Sequence, residues 1–209
     1  GTRSTRSSAV WGRPRTGAHP VSTLLVPRGQ AKALRRAYER AGYDPPSTVE
    51  LVEAHGTATK AGDVAEFAGL KSVFTDNSAR IALGSVKSQI GHTKAAAGAA
   101  GLIKAVLALQ HSTLPGTLKV DRPPNPAMGI EDSPFYVNAK TRPWVRKGDQ
   151  PRRASVSSFG FGGSNFHVTL EEYQGEHRAK RLRTAQRAGG PQRTVGGRAG
   201  QARCRDRRG

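Results

Sequence analysis

One cysteine in 209 residues, Cys204, leaves no intrachain disulfide to staple a fold. It fits a reducing compartment, so a cytoplasmic location is expected. No apolar run approaches the roughly 18–20 residues that a membrane span requires. The N-terminus carries arginine and serine but no compact apolar stretch ahead of a cleavage site, so it does not read as a signal peptide. Acids are scarce at both ends. Residues 1–28 hold five arginines and no acid, and residues 174–209 hold eleven Lys/Arg against Glu176 and Asp206. Apolar side chains thin out there too: after residue 173, Leu182 and Val195 are the only Leu, Ile, Val or Phe. Such segments cannot bury enough apolar surface to offset the entropy of ordering, so 1–29 and 174–209 are expected to be disordered. Their Arg/Gly/Ala bias resembles translation outside the reading frame of a GC-rich gene, or an assembly artefact. Aromatic residues end at Tyr173, so the basic tail lacks the stacking groups that single-stranded nucleic acid uses. Salt-dependent contact with polyanions is expected of it, and a nucleic-acid role is not.

The remainder is a folding segment. Of the 38 Leu, Ile, Val and Phe residues, 31 lie in 29–173, as do 13 of the 15 acids. QAKALRRAYERAG places Ala33, Leu34, Ala37, Tyr38 and Ala41 at helical spacing, ended by Gly42. TVELVEA is a short strand pattern. A helix is expected to open at Asp63, with Glu66 three residues on as a capping-box partner and Val64, Phe67, Leu70 and Phe74 following. IALGSVK (81–87) reads as a buried strand. Lys94 to Gln110 reads as one long helix whose alanines and glycines permit close packing between layers. A strand over 113–118, a Pro-rich loop over 121–134, and the strands FYVNA, ASVSSFG and SNFHVTLEE complete the pattern. Strands alternate with helices and then follow one another, which predicts a layered α/β domain closing in an antiparallel hairpin.

Three clusters carry the chemistry. VEAHGTATKAGD runs a strand into a loop at His55. GSVKSQIGHTKAAAGAAG sets Lys87 and His92 around a loop before the long helix. SSFGFGGSNFH is a glycine-rich turn between strands, where glycine lets the backbone turn sharply or approach a ligand. Histidine and lysine at the ends of buried strands can place polar tips in a cleft. Taken singly, each also fits a structural role: a satisfied histidine, a solvated lysine, a plain hairpin turn. GFGG does not match the dinucleotide pattern, which follows a strand and opens a helix.

In this order and spacing, HGTATKAGD, GSVKSQIGHTKAAAGAAGLIK and SSFGFGGSNFHVTLEEY resemble the C-terminal half of β-ketoacyl synthases. AGDVAEFAGLKSVF and EDSPFYVNAKTRPW are most similar to the ketosynthases of polyunsaturated-fatty-acid synthases, then to those of polyketide synthases. The resemblance implies a thiolase-like layered α/β/α fold, C-terminal half only, over about residues 30–173. It implies decarboxylative Claisen condensation of malonyl units, with His55 and His92 polarising the malonyl thioester. Lys87 is implied to organise the site and Glu66 to be its acidic partner. Thr57 and Thr59 match threonines that contact the phosphopantetheine arm, and Phe161 matches an aromatic gate on the acyl pocket.

No metal or redox cofactor is implied; the phosphopantetheine arm belongs to the acyl carrier protein, the expected partner together with other synthase domains. The family's nucleophilic cysteine belongs to the N-terminal ketosynthase half, and Cys204 in ARCRDRRG does not share its context. The expected partner list therefore includes that half. The competing reading is an inert fragment, or a split-chain partner with a polyanion-binding tail. Without the other half, the fold is expected to expose an apolar face.

Overall fold

Side chains alternate across the strands and so sort the apolar residues onto two faces of one sheet. A computed structural model of the chain describes residues 10–12 (backbone only), 27–120, 125–160 and 162–175. The centre of the sheet is parallel. β2 (Leu51–Glu53) lies between β3 (Ile81–Gly84) and β7 (Arg153–Phe159), and β5 (Phe135–Val137) pairs with β3. β8 (Asn165–Glu171) returns from β7 as an antiparallel hairpin, and β1 (Val10–Gly12) pairs antiparallel with β8. The strand order is β1-β8-β7-β2-β3-β5. A separate ribbon joins β4 (Thr113–Leu114) to β6 (Arg142–Pro143).

Two long helices, α1 (Pro27–Ala41) and α3 (Lys60–Lys71), cover one face; α5 (Ala97–Gln110) covers the other. Short helices α2 (Pro45–Thr48) and α4 (Lys87–Ile90) sit in the connections. The layering is therefore α/β/α. Under α1 and α3 lies one core cluster, with Leu34, Tyr38, Val52, Phe67, Leu70 and Phe74. Under α5 lies the second, with Leu51, Ala105, Leu109, Val156 and Leu170. Leu51 and Val52, adjacent in β2, fall on opposite faces as the pleat requires.

A buried polar chain ties α1 to the hairpin. His167 Nδ1 lies 3.0 Å from Ser157 Oγ and Nε2 3.0 Å from Tyr38 OH, one ring nitrogen donating and the other accepting. Burial pushes the imidazole down to about 3, so the ring is neutral at pH 7.

Several expectations need correction. Residues 10–12 are a strand rather than disordered chain, and α1 starts at Pro27. The ladder that orders β1 comes from β8, over a hundred and fifty residues away, where composition gives no signal. α3 starts at Lys60, three residues before Asp63, and its cap is Thr59, whose Oγ1 accepts from Gly62 N at 3.2 Å. The Asp63–Glu66 capping box therefore does not form; the Asp63 N–H donates to Thr59 O inside the first turn. The helix expected from Lys94 begins as a 3-10 turn, Lys94–Ala96, with Lys94 at φ +53°. The strand expected over 113–118 stops at Leu114, because Pro115 has no N–H to continue the ladder.

α5 is close-packed on one side only. A Cβ on Gly101 would stand 3.1 Å from both Glu53 Cγ and Val156 Cγ1, so glycine is what lets the helix settle onto β2 and β7. Its other side is not between layers: Ile103 is 60 % and Leu107 46 % exposed. That is the expected uncovered apolar face. Among the described residues, no helix is long and apolar enough to cross a membrane. The basic tail beyond residue 175 lies outside the described residues.

Candidate active site

Parallel strands deliver their C-terminal ends to one edge of the sheet, and the chain leaves β2 and β3 there as loops. His55 stands two residues past β2, held by Ala54 N donating to Gly84 O at 2.8 Å. Lys87 opens α4 after β3, and His92 follows Gly91, which ends α4 at φ +75°. The His55 and His92 rings meet edge-to-face with centroids 5.6 Å apart. His55 also packs on Phe159 at the end of β7, 6.0 Å between centroids. Residues 37 positions apart in the chain are thereby brought into one cluster.

The hydrogen bonds set the tautomers. Lys87 Nζ lies 3.5 Å from His55 Nδ1. An ammonium only donates, so Nδ1 is the acceptor and the ring proton sits on Nε2. The Lys94 backbone N–H donates to His92 Nδ1 at 3.0 Å, which again leaves the proton on Nε2. The positive φ of Lys94 aims that N–H back at the ring. Burial, then the Lys87 charge, then His92 push His55 down to about 4. The exposed His92 ring is also lowered, first by the desolvation it has and then by Lys87 and Lys94. At pH 7 the cluster therefore presents two neutral imidazoles, each with an Nε2–H donor.

Glu66 anchors the loop beneath them. Its carboxylate receives the His55 N–H at 2.7 Å and the Gly56 N–H at 2.9 Å. Burial raises it to about 7 against those two hydrogen bonds. Lys87 is lowered by its own burial, with Glu66 and Glu53 opposing. Thr57 and Thr59 face each other with hydroxyls 3.2 Å apart. The Gly56 backbone, at φ +48°, passes so close to Ser85 that a Cβ would stand 2.8 Å from its side chain. Ala58, two residues on, adopts φ +58° without being glycine.

The cluster opens on a cavity of about 530 Å³. Thr57, Glu66, Lys87 and His92 line its polar side, and Leu83 and Met128 are among its apolar lining. His55 does not line this cavity; its ring lies against His92 and Phe159 instead. Of the residues singled out in the sequence, His55, Lys87, His92 and Glu66 form one group, with Thr57 and Thr59 on the adjoining loop. Phe161 lies outside the described residues. Glu53, which joins Lys104 and the Val86 N–H beside Lys87, was not singled out. Its only local mark is an acid in an otherwise apolar strand.

Solved ketosynthases share the architecture. Ketosynthase twelve of the bacillaene polyketide synthase of Bacillus amyloliquefaciens matches with a TM-score of 0.73 and 34% identity, over 81% of this chain and 30% of that one. The module 6 ketosynthase of the bacillaene synthase of Bacillus subtilis matches with a TM-score of 0.70 and 40% identity, over 79% and 30%. The fold is thus that of a thiolase-like ketosynthase. Residues 12–121 match the family described as beta-ketoacyl synthase, C-terminal domain, and 124–193 match its C-terminal extension, so the chain belongs to the β-ketoacyl synthase family. These matches reach beyond the 30–173 in which the motifs lie, into both of the ends whose composition looked foreign to the fold; Cys204 falls beyond them.

Among curated relatives, a polyunsaturated fatty acid synthase chain of Thraustochytrium sp. is 52% identical over 156 residues, covering 71% of this chain and 6% of that protein. A polyketide synthase of Bacillus subtilis is 48% identical over 158 residues, covering 74% and 3%. The chain thus spans a small fraction of the curated relatives it matches and about 30% of each of these ketosynthase structures.

Proposed function

We propose that this chain supplies the decarboxylating side of a ketosynthase site in polyketide or polyunsaturated-fatty-acid chain elongation. The observation that supports the reading most is the fixed tautomer pair: Lys87 and the Lys94 N–H each occupy a histidine Nδ1, leaving two Nε2–H donors. A malonyl thioester loses carbon dioxide when its Cα–carboxylate bond breaks and the electron pair passes to the thioester carbonyl. Negative charge then develops on that oxygen, and donors placed there stabilise it selectively in the transition state. Neutral imidazoles suit the role because they donate without giving up a proton. The enolate carbon then attacks an acyl thioester, forming the new C–C bond and expelling the thiolate.

Thr57 and Thr59 border the route for a phosphopantetheine arm carried by an acyl carrier protein. The acyl-bearing cysteine comes from ketosynthase residues outside this chain; Cys204 lies beyond the family match. Other synthase domains are the natural neighbours, since the relatives are large polyunsaturated-fatty-acid and polyketide synthases. No cofactor beyond the carrier's arm enters the steps.

The test is complementation. The chain is co-expressed with the cysteine-bearing half of a related ketosynthase, and carbon dioxide release from malonyl carrier protein is followed. His55→Ala and His92→Ala should each lower release by roughly 10²-fold or more, the scale of losing one oxyanion donor. Undiminished release in the double variant would contradict the proposal.

A further inference from the structure

Beneath the cluster lies an ion pair that none of these steps uses. Glu53 and Lys104 meet at 2.8 Å, with side chains only 2 % and 9 % exposed. The second Glu53 oxygen accepts the Val86 backbone N–H. Through its carboxylate, Glu53 therefore ties its own strand to two other stretches of chain. Glu53 itself ends β2, two residues before His55. Val86 immediately precedes Lys87. Lys104 stands on α5, the helix that follows the His92–Lys94 turn. The first two stretches carry His55 and Lys87, and the third follows the turn that holds His92. A glycine clears the space: a Cβ on Gly101 would press on Glu53 Cγ at 3.1 Å.

For stability alone, two apolar side chains would serve as well as a buried ion pair. What an apolar pair cannot do is accept the Val86 N–H and oppose the Lys87 charge. We propose that Glu53, locked by Lys104, is a positioning residue that holds the Val86–Lys87 turn against His55. This rests on His55, Lys87 and His92 being the reacting cluster. Supporting it, the Glu53 charge favours the Lys87 ammonium; burial raises the Glu53 carboxyl above its ordinary value, with Lys104 and the Val86 N–H opposing.

The experiment uses the full chain and site-resolved NMR titration of Lys87 and His55. Glu53→Gln keeps an acceptor for Val86 but removes the charge. The Lys87 midpoint should fall by ~0.5 pH unit or more, with His55 changed little. The double substitution Glu53→Leu with Lys104→Met replaces the pair by apolar packing and also removes the acceptor. It should remain folded, move the Val86 and Lys87 amide resonances, and raise the His55 midpoint by about one unit as Lys87 leaves the ring. A folded double variant whose Lys87 and His55 midpoints match the parent would make the pair purely structural and overturn the proposal. If the double variant does not fold, Glu53→Gln decides: an unmoved Lys87 midpoint, or loss of the fold, overturns it equally. These readouts need no turnover. If complementation fails while the midpoints shift as stated, the condensation reading falls and the positioning of Lys87 stands.

Discussion

Replacing Lys87 by Met should raise the midpoint of His55, and the structure sets the size of the change. The ammonium nitrogen lies 3.5 Å from His55 Nδ1. Two unit charges at that distance repel by about 1 kcal/mol even at the dielectric of water. Lys87 is half-buried beside an open cavity, so the water limit is the conservative one. A pH unit corresponds to ~1.4 kcal/mol, so removing the cation should raise His55 by about one unit. The ring should still titrate below its ordinary value, because burial is the larger cause of its depression to about 4. Methionine keeps the aliphatic bulk of lysine, so packing changes little. Histidine-selective isotope labelling, with His55 assigned by its own substitution, gives the titration in the intact chain. A midpoint that moves by less than about 0.3 unit, or moves downward, would mean that Lys87 does not face the ring, and the tautomer assigned to His55 would be wrong.

Gly101→Val should destabilise the chain by roughly 1–3 kcal/mol in urea unfolding, since the new side chain meets Glu53 and Val156 where a Cβ already lies at 3.1 Å. Ala58→Val should cost roughly 1–2 kcal/mol although the position is exposed, because a β-branched side chain resists φ +58°; an unchanged midpoint of unfolding would show that the loop relaxes freely. His167 binds its proton more weakly folded than unfolded. Its contribution to stability is therefore full above its ordinary value of 6.5 and is lost as pH falls from there through about 3. His167→Gln should flatten the acid limb of the stability profile by one proton, and an unaltered slope would show that another group governs it.

Much of the fold could be read locally. The helical spacing of α1 carries a period that burial imposes, and TVELVEA is recognisable as a short strand. The same holds for the hairpin, whose strands are long enough to show it. What escaped was either too short or too distant. α4 is four residues, less than a hydrophobic period can mark. β1 owes its order to a ladder with β8. The start of α3 was misplaced because Asp63 and Glu66 imitate a cap, whereas Glu66 turns inward to the loop backbone of His55 and Gly56. The cluster residues were legible only as a set: nothing local in HGTAT or SQIGHT says that His55 and His92 touch. Parallel pairing of β2 with β3 brings them together, and that pairing is long-range. The Glu53–Lys104 pair, 51 residues apart, was invisible for the same reason.

The most direct measurement is a titration of the intact chain with malonyl-pantetheine, following the ring nitrogens of all its histidines. Binding of the thioester carbonyl should shift the Nε2 resonances of His55 and His92 together, and His55→Ala should abolish the response at His92. A response at other histidines instead, or none from a folded chain at saturating thioester, would contradict the assignment of this pair to the malonyl thioester.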